Sequence, residues 1–238
     1  MVRIASPSPA VPAQGLKAIR RETLAEAVAA QIRRAIISGE MEEGSSVSET
    51  QLADQLQVSR VPVREALVQL EHDGIVLFDY RGRCQIRVFS HGDFEEILSL
   101  RFNLEIMSAR LASTRMTPDA WAAIEKNVAA LERETDVTNI SRLDVEFHDL
   151  IMEASCHERL RTCWNTVRTQ FELLLAKVHR WQKQHDIPVS DHALRGHRPI
   201  VQALRSGDPE KAAQQMEKHI RDWGDLMSQD NSLFPIPS

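Results

Sequence analysis

The first regular pattern along the chain is an apolar stripe with a spacing of four residues. It consists of Leu24, Val28, Ile32 and Ile36. This spacing predicts an amphipathic helix, which Gly39 ends. Two shorter helices with the same periodicity follow. We expect Ser48 and Ser59 to be their N-caps, because a serine hydroxyl can accept a hydrogen bond from the first helical turn.

The periodicity changes after the third helix. An apolar run over residues 75–78 is followed by a polar stretch over 79–83 and a second short run over 85–88. This order predicts a two-stranded hairpin. Three helices and a hairpin make a compact α+β domain over residues 21–89. Residues 1–20 contain several prolines and are predicted to form a flexible tail.

Beyond Ser90 the chain has almost no strand pattern. Thr117-Pro118 and Asp208-Pro209 each put a capping side chain before a first-turn proline, which is typical of helix starts. The sequence therefore predicts an all-helical bundle over residues 90–230, a tail over 231–238, and a mainly α fold. The expected helices span residues 91–115, 118–135, 139–155, 157–184, 189–206 and 209–228.

The composition is that of a folded protein with a mild acidic excess. Of the 238 residues, 42% are hydrophobic, and the net charge is -5. Residues 1–89 carry eleven basic and eleven acidic side chains, so the excess lies entirely in the predicted bundle. Three cysteines without a CxxC pair, no apolar run near ~20 residues and no signal pattern predict a cytoplasmic protein without membrane association.

A local basic surface is predicted within the neutral N-terminal domain. Arg60 and Arg64 stand four residues apart at the start of the third helix, opposite its apolar stripe. Helix-turn-helix proteins insert this end of the second helix of the motif into the major groove, where guanidinium groups can bind guanine or phosphate. Ordinary solvated charges are the alternative interpretation. The predicted hairpin has a basic tip formed by Arg81, Gly82 and Arg83.

The run SRVPVREAL over residues 59–67, followed by DGIV over 73–76, resembles the winged helix of GntR-family transcriptional regulators. The resemblance covers residues 24–88. It implies that Arg60, Arg64 and Ser59 contact operator DNA, with Gly82 at the wing tip between Arg81 and Arg83. It also implies a homodimer on a palindromic double-stranded operator. Glu43-Gly44 and Thr50 depart from the family pattern, so no operator sequence is carried over.

The predicted bundle contains a set of residues suited to metal binding. Asp144 and His148 lie four apart and share a helix face, and His197 and His219 fall on the inward stripes of two later helices. One aspartate and three histidines suit Zn²⁺, Ni²⁺ or another first-row divalent ion. Hydrogen-bonded histidines without a metal are the alternative. We interpret four further histidines as surface residues: His72, His91, His179 and His185.

The segments RFNLE (101–105), DVEFH (144–148) and HRPI (197–200), with residues 207–219, resemble the FCD-type effector domain of the FadR subfamily of GntR regulators. The resemblance implies that Asp144, His148, His197 and His219 bind a divalent transition metal, with Zn or Ni favoured. It further implies that the metal helps to hold a small carboxylate effector. Arg101 is a candidate to bind that carboxylate or to pair with Glu105, and both alternatives stay open.

Together the two resemblances predict a transcription regulator, expected to be a repressor, that responds to a metabolite. A metal-dependent hydrolase is the rival, because Asp/His₃ sites also activate water. A hydrolase of this kind needs a general base beside the metal. Glu146 points away from the helix face that carries the ligands, so Glu105 is the remaining candidate for that base. A third alternative is a DNA-binding protein that uses the bundle only to dimerise; it predicts no metal and no response to metabolites. We expect no enzymatic activity.

Overall fold

The computed structural model describes residues 23–187 and 189–227. The predicted tails, residues 1–20 and 231–238, lie outside them. The described elements are α1 (Leu24–Ser38), β1 (Ser46–Val47), α2 (Glu49–Leu56), α3 (Arg60–His72), β2 (Val76–Phe78), β3 (Cys84–Ile86), α4 (His91–Ala112), α5 (Pro118–Leu131), α6 (Val137–Ala154), α7 (Glu158–Gln184), α8 (Val189–Arg205) and α9 (Pro209–Met227). The predicted mainly α fold, with a winged helix-turn-helix before a helical bundle, is confirmed.

Capping side chains fix the starts of the first helices. Thr23 caps α1: its Oγ1 accepts from the Glu26 amide, and the Glu26 carboxylate accepts from the Thr23 amide. Ser48 caps α2 by accepting from the Gln51 amide at 3.4 Å. Ser59 occupies the N-cap position of α3, but its side chain makes no capping hydrogen bond. The prediction that its hydroxyl caps the helix was therefore wrong.

The wing is a three-stranded antiparallel sheet with strand order β1-β3-β2, not the predicted two-stranded hairpin. In β2, Val76 and Phe78 pair with Ile86 and Cys84 of β3, as expected for a hairpin. On the other side of β3, Val47 of β1 pairs with Cys84. The sequence did not reveal β1, because two residues are too few to show an alternating pattern.

Two helices of the bundle, α5 and α9, begin at the prolines that predicted their starts. The Thr117 hydroxyl accepts from the Ala120 amide at the start of α5, and the Asp208 carboxylate accepts from the Lys211 amide at the start of α9, both at 3.2 Å. Helix α4, which follows the wing, packs against α6, α7 and α9. Within the described ranges, no helix has both the length and the apolar character needed to cross a membrane.

The winged helix rests on α7 of the bundle. One apolar cluster runs from the winged helix through Phe89 to Phe171 and Trp223. Polar contacts reinforce this junction: Lys177 of α7 pairs with Glu43 at 2.8 Å, and the Arg180 guanidinium donates to the Ile37 carbonyl at the end of α1. These contacts join α7 directly to the winged helix.

Candidate functional site

The exposed face of α3 carries the predicted DNA-contacting arginines. Five residues of the helix are buried in the winged-helix core: Pro62, Val63, Ala66, Leu67 and Leu70. Arg60 and Arg64 are exposed, as is Ser59 just before the helix. Arg60 lies 3.2 Å from the Glu49 carboxylate of α2, although 65% of its side chain remains accessible.

The centre of this face is apolar. At about 100° of rotation per residue, Val61 and Val68 project almost opposite the middle of the buried set, with Arg60 and Arg64 to one side. The accessibilities agree, because Val61 is 65% exposed and Val68 is 52% exposed. Both arginines therefore lie to one side of the centre of the presented surface, whereas the sequence interpretation placed them opposite the apolar stripe.

Asp79 organises the basic tip of the wing. Its Oδ1 accepts from the amides of Arg81 and Arg83 at 2.9 Å, and its Oδ2 accepts from the Arg83 guanidinium at 2.6 Å. These hydrogen bonds from Arg83 and Arg81 lower the pKa of Asp79. Gly82 has a φ of +76°, a left-handed conformation that glycine adopts without strain. The Arg81 guanidinium lies 5.1 Å from the centre of the Tyr80 ring.

Inside the bundle, three helices bring three histidines together. His148 of α6, His197 of α8 and His219 of α9 each offer a ring nitrogen, and these atoms all lie within 4.8 Å of one another. Asp144 Oδ1 lies 3.5 Å from His148 Nε2, and Asp144 Oδ2 lies 3.8 Å from His197 Nε2. Both nitrogens of the buried His197 lack a hydrogen-bond partner, which is unusual for buried polar atoms.

Helix α4 adds an ion pair to this cluster. Arg101 Nε lies 2.5 Å from Glu105 Oε1, and both side chains are 1% exposed. Glu105 Oε2 lies 2.5 Å from His148 Nδ1. One of the two roles considered for Arg101, the pair with Glu105, is therefore present. Its Nη1 still has no partner, so the pair leaves one guanidinium donor available.

Aromatic rings enclose the guanidinium of Arg101. Its centre lies 3.7 Å from the Phe171 ring and 4.9 Å from the Trp223 ring. The indole N–H of Trp223 is also buried and unpaired. Two unsatisfied donors, Arg101 Nη1 and Trp223 Nε1, thus belong to neighbouring side chains close to His148.

Electrostatics separate the three histidines into two types. Burial alone would lower the pKa of His148, but the carboxylates of Glu105 and Asp144 raise it to about 9. Burial lowers the pKa of His197 to about 4. Burial and the neighbouring His197 ring lower the pKa of His219 well below its usual value. At neutral pH, His148 is therefore charged, whereas His197 and His219 are neutral.

Both carboxylates of the site are ionised despite their burial. Burial would raise the pKa of Asp144, but His197 and His148 hold it far below the usual range. Burial would likewise raise the pKa of Glu105, but Arg101 and His148 lower it to about 2. Two negative charges therefore face the positive charges of Arg101 and His148.

Two residues near the site were missed by sequence reasoning. His179, predicted to lie on the surface, is 4% exposed, and its Nδ1 lies 2.8 Å from Ser141 Oγ. The prediction was wrong because α7 is buried on several faces at once. Gly196 was not singled out at all. A Cβ there would lie 2.7 Å from His219 Cε1 and closer still to Nδ1, so glycine permits the close approach of α8 and α9.

Residues 24–86 match the gntR family of bacterial regulatory proteins, and residues 96–222, more than half of the chain, match the FCD domain. The chain belongs to the GntR family. Its FCD domain places it in the FadR subfamily, whose members are transcriptional regulators and not enzymes. The hydrolase alternative is thereby set aside, and Glu146 is 44% exposed and pairs with Arg142.

Two curated relatives and one solved structure indicate how far the likeness extends. The chain is 29% identical over 210 residues to a probable D-xylose utilization operon transcriptional repressor of Paenarthrobacter nicotinovorans, covering 86% of this chain and 88% of the relative. It is 29% identical over 202 residues to the gluconate operon transcriptional repressor of Bacillus subtilis, covering 82% and 81%. The structure of E. coli McbR/YncC shares the fold, with a TM-score of 0.70, 19% identity, and coverage of 87% and 98%.

Proposed function

We propose that this GntR regulator is a cytoplasmic homodimeric repressor whose operator affinity is set by a small carboxylate, bound beside a divalent metal in the FCD domain. One observation carries the proposal: the same chain presents an arginine-bearing helix on its surface and encloses a charged histidine cluster with unpaired donors. The names of the two relatives, both repressors, support the repressor assignment. The division into two domains, residues 21–89 and 90–230, is part of the same proposal.

On the DNA side, α3 would enter the major groove and the wing would follow the backbone. Arg60 and Arg64 are exposed and can make bidentate contacts to guanine or phosphate. The hydroxyl of Ser59, which does not cap α3, would bind a phosphate. Of the three tip residues, Gly82 allows close approach, while Arg81 and Arg83 supply positive charge. A two-fold symmetric dimer would read a palindromic operator.

The FCD residues fit a divalent transition ion. Neutral imidazoles are ligands for Zn²⁺ and Ni²⁺, and His197 and His219 are neutral, while the nitrogens of His197 have no other partner. Glu105 Oε2 lies 2.5 Å from Nδ1 of His148, an arrangement similar to the carboxylate–histidine pairs that orient metal ligands. Asp144 would supply the fourth ligand. A bound ion would contribute positive charge and open coordination positions to the site.

Charge balance supports an anionic effector. Without a metal, the charges of Arg101 and protonated His148 offset those of Glu105 and Asp144. Metal binding displaces ligand protons, so loading a divalent ion at His148 would leave one excess positive charge in a buried site. A carboxylate would neutralise it, with Arg101 Nη1 and Trp223 Nε1 as donors. The two relatives do not indicate one effector class, because one is named for D-xylose, a neutral sugar, and the other for gluconate, a sugar acid. The proposed carboxylate therefore rests on the charges of the site.

Helix α7 contacts both the proposed effector site and the winged helix. Its Phe171 lies against Arg101 in the bundle, and one to three turns further along, Lys177 and Arg180 hold the winged helix. An effector that binds Arg101 would bias the position of α7. Such a bias alters operator affinity only to the extent that the effector binds the two arrangements differently.

Operator contact is tested by replacing both Arg60 and Arg64 with alanine. Each good base contact contributes about 1–3 kcal/mol, so specific binding in a gel-shift assay should fall at least 30-fold. Arg142→Ala, which removes an exposed arginine of the bundle, is the matched control. Unchanged binding by the double variant would contradict the assignment.

The metal is tested by elemental analysis of the purified protein and its variants. We expect about one Zn or Ni per chain in the wild type, and much less in His148→Ala and His219→Ala. His72→Ala removes a histidine that is 88% exposed and should leave the metal content unchanged. Equal content in all four proteins would remove the site and favour a bundle that serves only to dimerise.

A further inference from the structure

The apolar centre of the exposed α3 face has a consequence for operator sequence. We propose that Val61 contacts the 5-methyl group of a thymine in each operator half-site and thereby selects thymine at that position. The inference rests on the proposed operator binding, and it assigns a base-selecting role to a residue that carries no charge.

The position of Val61 places it where bases are read. It lies in the first turn of α3, the end that helix-turn-helix proteins direct at base edges. It projects from the middle of the presented face, and the residue is 65% exposed in the free protein. Arg60 and Arg64 both lie on one side of it, so the base that it meets lies next to those that the arginines can reach.

The chemistry of the side chain then selects the base. An isopropyl group can neither donate nor accept a hydrogen bond, and the thymine methyl is the one apolar group on the major-groove edges of the bases. Facing any other base, valine would cover a donor or acceptor without replacing its hydrogen bond to water, which carries a penalty. As a β-branched residue in a helix, Val61 also has a nearly fixed χ1, which holds its methyl groups in place.

Val68 provides a matched comparison. It is the same residue type on the same face, with 52% exposure, but it lies about 10 Å further along the helix axis. It is therefore withdrawn from the end that enters the groove. A general contribution of exposed valines to DNA affinity would affect both positions, whereas thymine selection is expected at Val61 alone.

The test uses the full-length protein and operators selected from a random duplex pool. Each thymine of the selected half-site is replaced by deoxyuridine, symmetrically in both halves, which removes only the methyl group, and affinity is measured by fluorescence anisotropy. For one thymine position we expect wild-type affinity to fall about fourfold per half-site, equivalent to about 0.8 kcal/mol, and about 15-fold for the pair. In Val61→Ala, whose shorter side chain reaches the methyl group less closely, the preference for thymine over uracil should fall to less than half of the wild-type factor, and Val68→Ala should keep the wild-type preference.

Each other outcome overturns the inference. A selected half-site without thymine, a wild type insensitive to every replacement, or a Val61→Ala variant that keeps the full preference would exclude methyl reading by Val61 while leaving operator binding intact. A selection that enriches no sequence at all would instead contradict the operator binding on which the inference rests.

Discussion

Metal binding to the FCD domain should release about one proton per site at neutral pH. The release is measured by adding Ni²⁺ to metal-free protein at several pH values. The pKa of His148 is raised to about 9 by Glu105 and Asp144, whereas His197 and His219 are already neutral. Because the metal takes the deprotonated imidazole, His148 has to lose its proton on binding.

The expected number of protons follows from the pKa of His148. With a pKa near 9, metal binding should release about 1.0 proton at pH 7 and about 0.9 at pH 8. An ordinary histidine pKa of about 6.5 would give about 0.2 at pH 7 and almost none at pH 8. Metal affinity should correspondingly rise about tenfold per pH unit as pH increases towards 9, and then level off.

Isothermal titration calorimetry in buffers of different ionisation enthalpy measures the proton count directly. Ni²⁺ is preferable to Zn²⁺, because water bound to Zn²⁺ can itself lose a proton near pH 7. A release below about 0.3 proton at pH 8 would refute the raised pKa of His148, and with it the charge balance between Arg101, Glu105 and Asp144.

Further predictions concern packing around the site and the junction between domains. Gly196→Ala should displace His219 and reduce metal affinity at least tenfold in the same calorimetric assay; Gly92→Ala, where a Cβ meets no atom closer than 3.7 Å, should leave it unchanged. Lys177→Met removes the 2.8 Å pair with Glu43 and should lower the free energy of unfolding by about 0.5–1 kcal/mol in urea. Adding Glu43→Gln to that variant should lower the free energy of unfolding only slightly further. A second decrease as large as the first would show that the two side chains do not interact.

The sequence predicted the helical architecture because its signals are local. A capping side chain followed by a first-turn proline located the starts of α5 and α9 to the residue, since such a pair satisfies helix ends without tertiary help. The third strand of the wing was missed for the opposite reason. Val47 joins the sheet by pairing with Cys84, 37 residues away, and two residues carry no periodicity of their own.

In the candidate site, too, contacts between residues close in sequence could be predicted, whereas contacts between helices could not. The spacing of Arg101 and Glu105 permitted their ion pair, but the contact between Glu105 and His148 joins α4 to α6 and depends on tertiary packing. Convergence of His148, His197 and His219 could be expected only from the family resemblance, because spacing along the chain does not reveal which helices meet. The misassignment of His179 has a related cause: α7 is surrounded by other elements, so no single stripe marks its buried positions.

Control of operator binding by a carboxylate is tested by measuring operator affinity as a function of added carboxylate. Fluorescence anisotropy on a selected operator would compare metal-loaded wild type and His148→Ala, each with citrate, gluconate or L-lactate, and with D-xylose as an uncharged control. We expect at least one carboxylate to change wild-type affinity by about fivefold or more, in the usual range of allosteric coupling, and to have no effect on the variant. An affinity that no carboxylate alters, or that changes equally in His148→Ala, would show that this site does not control operator binding.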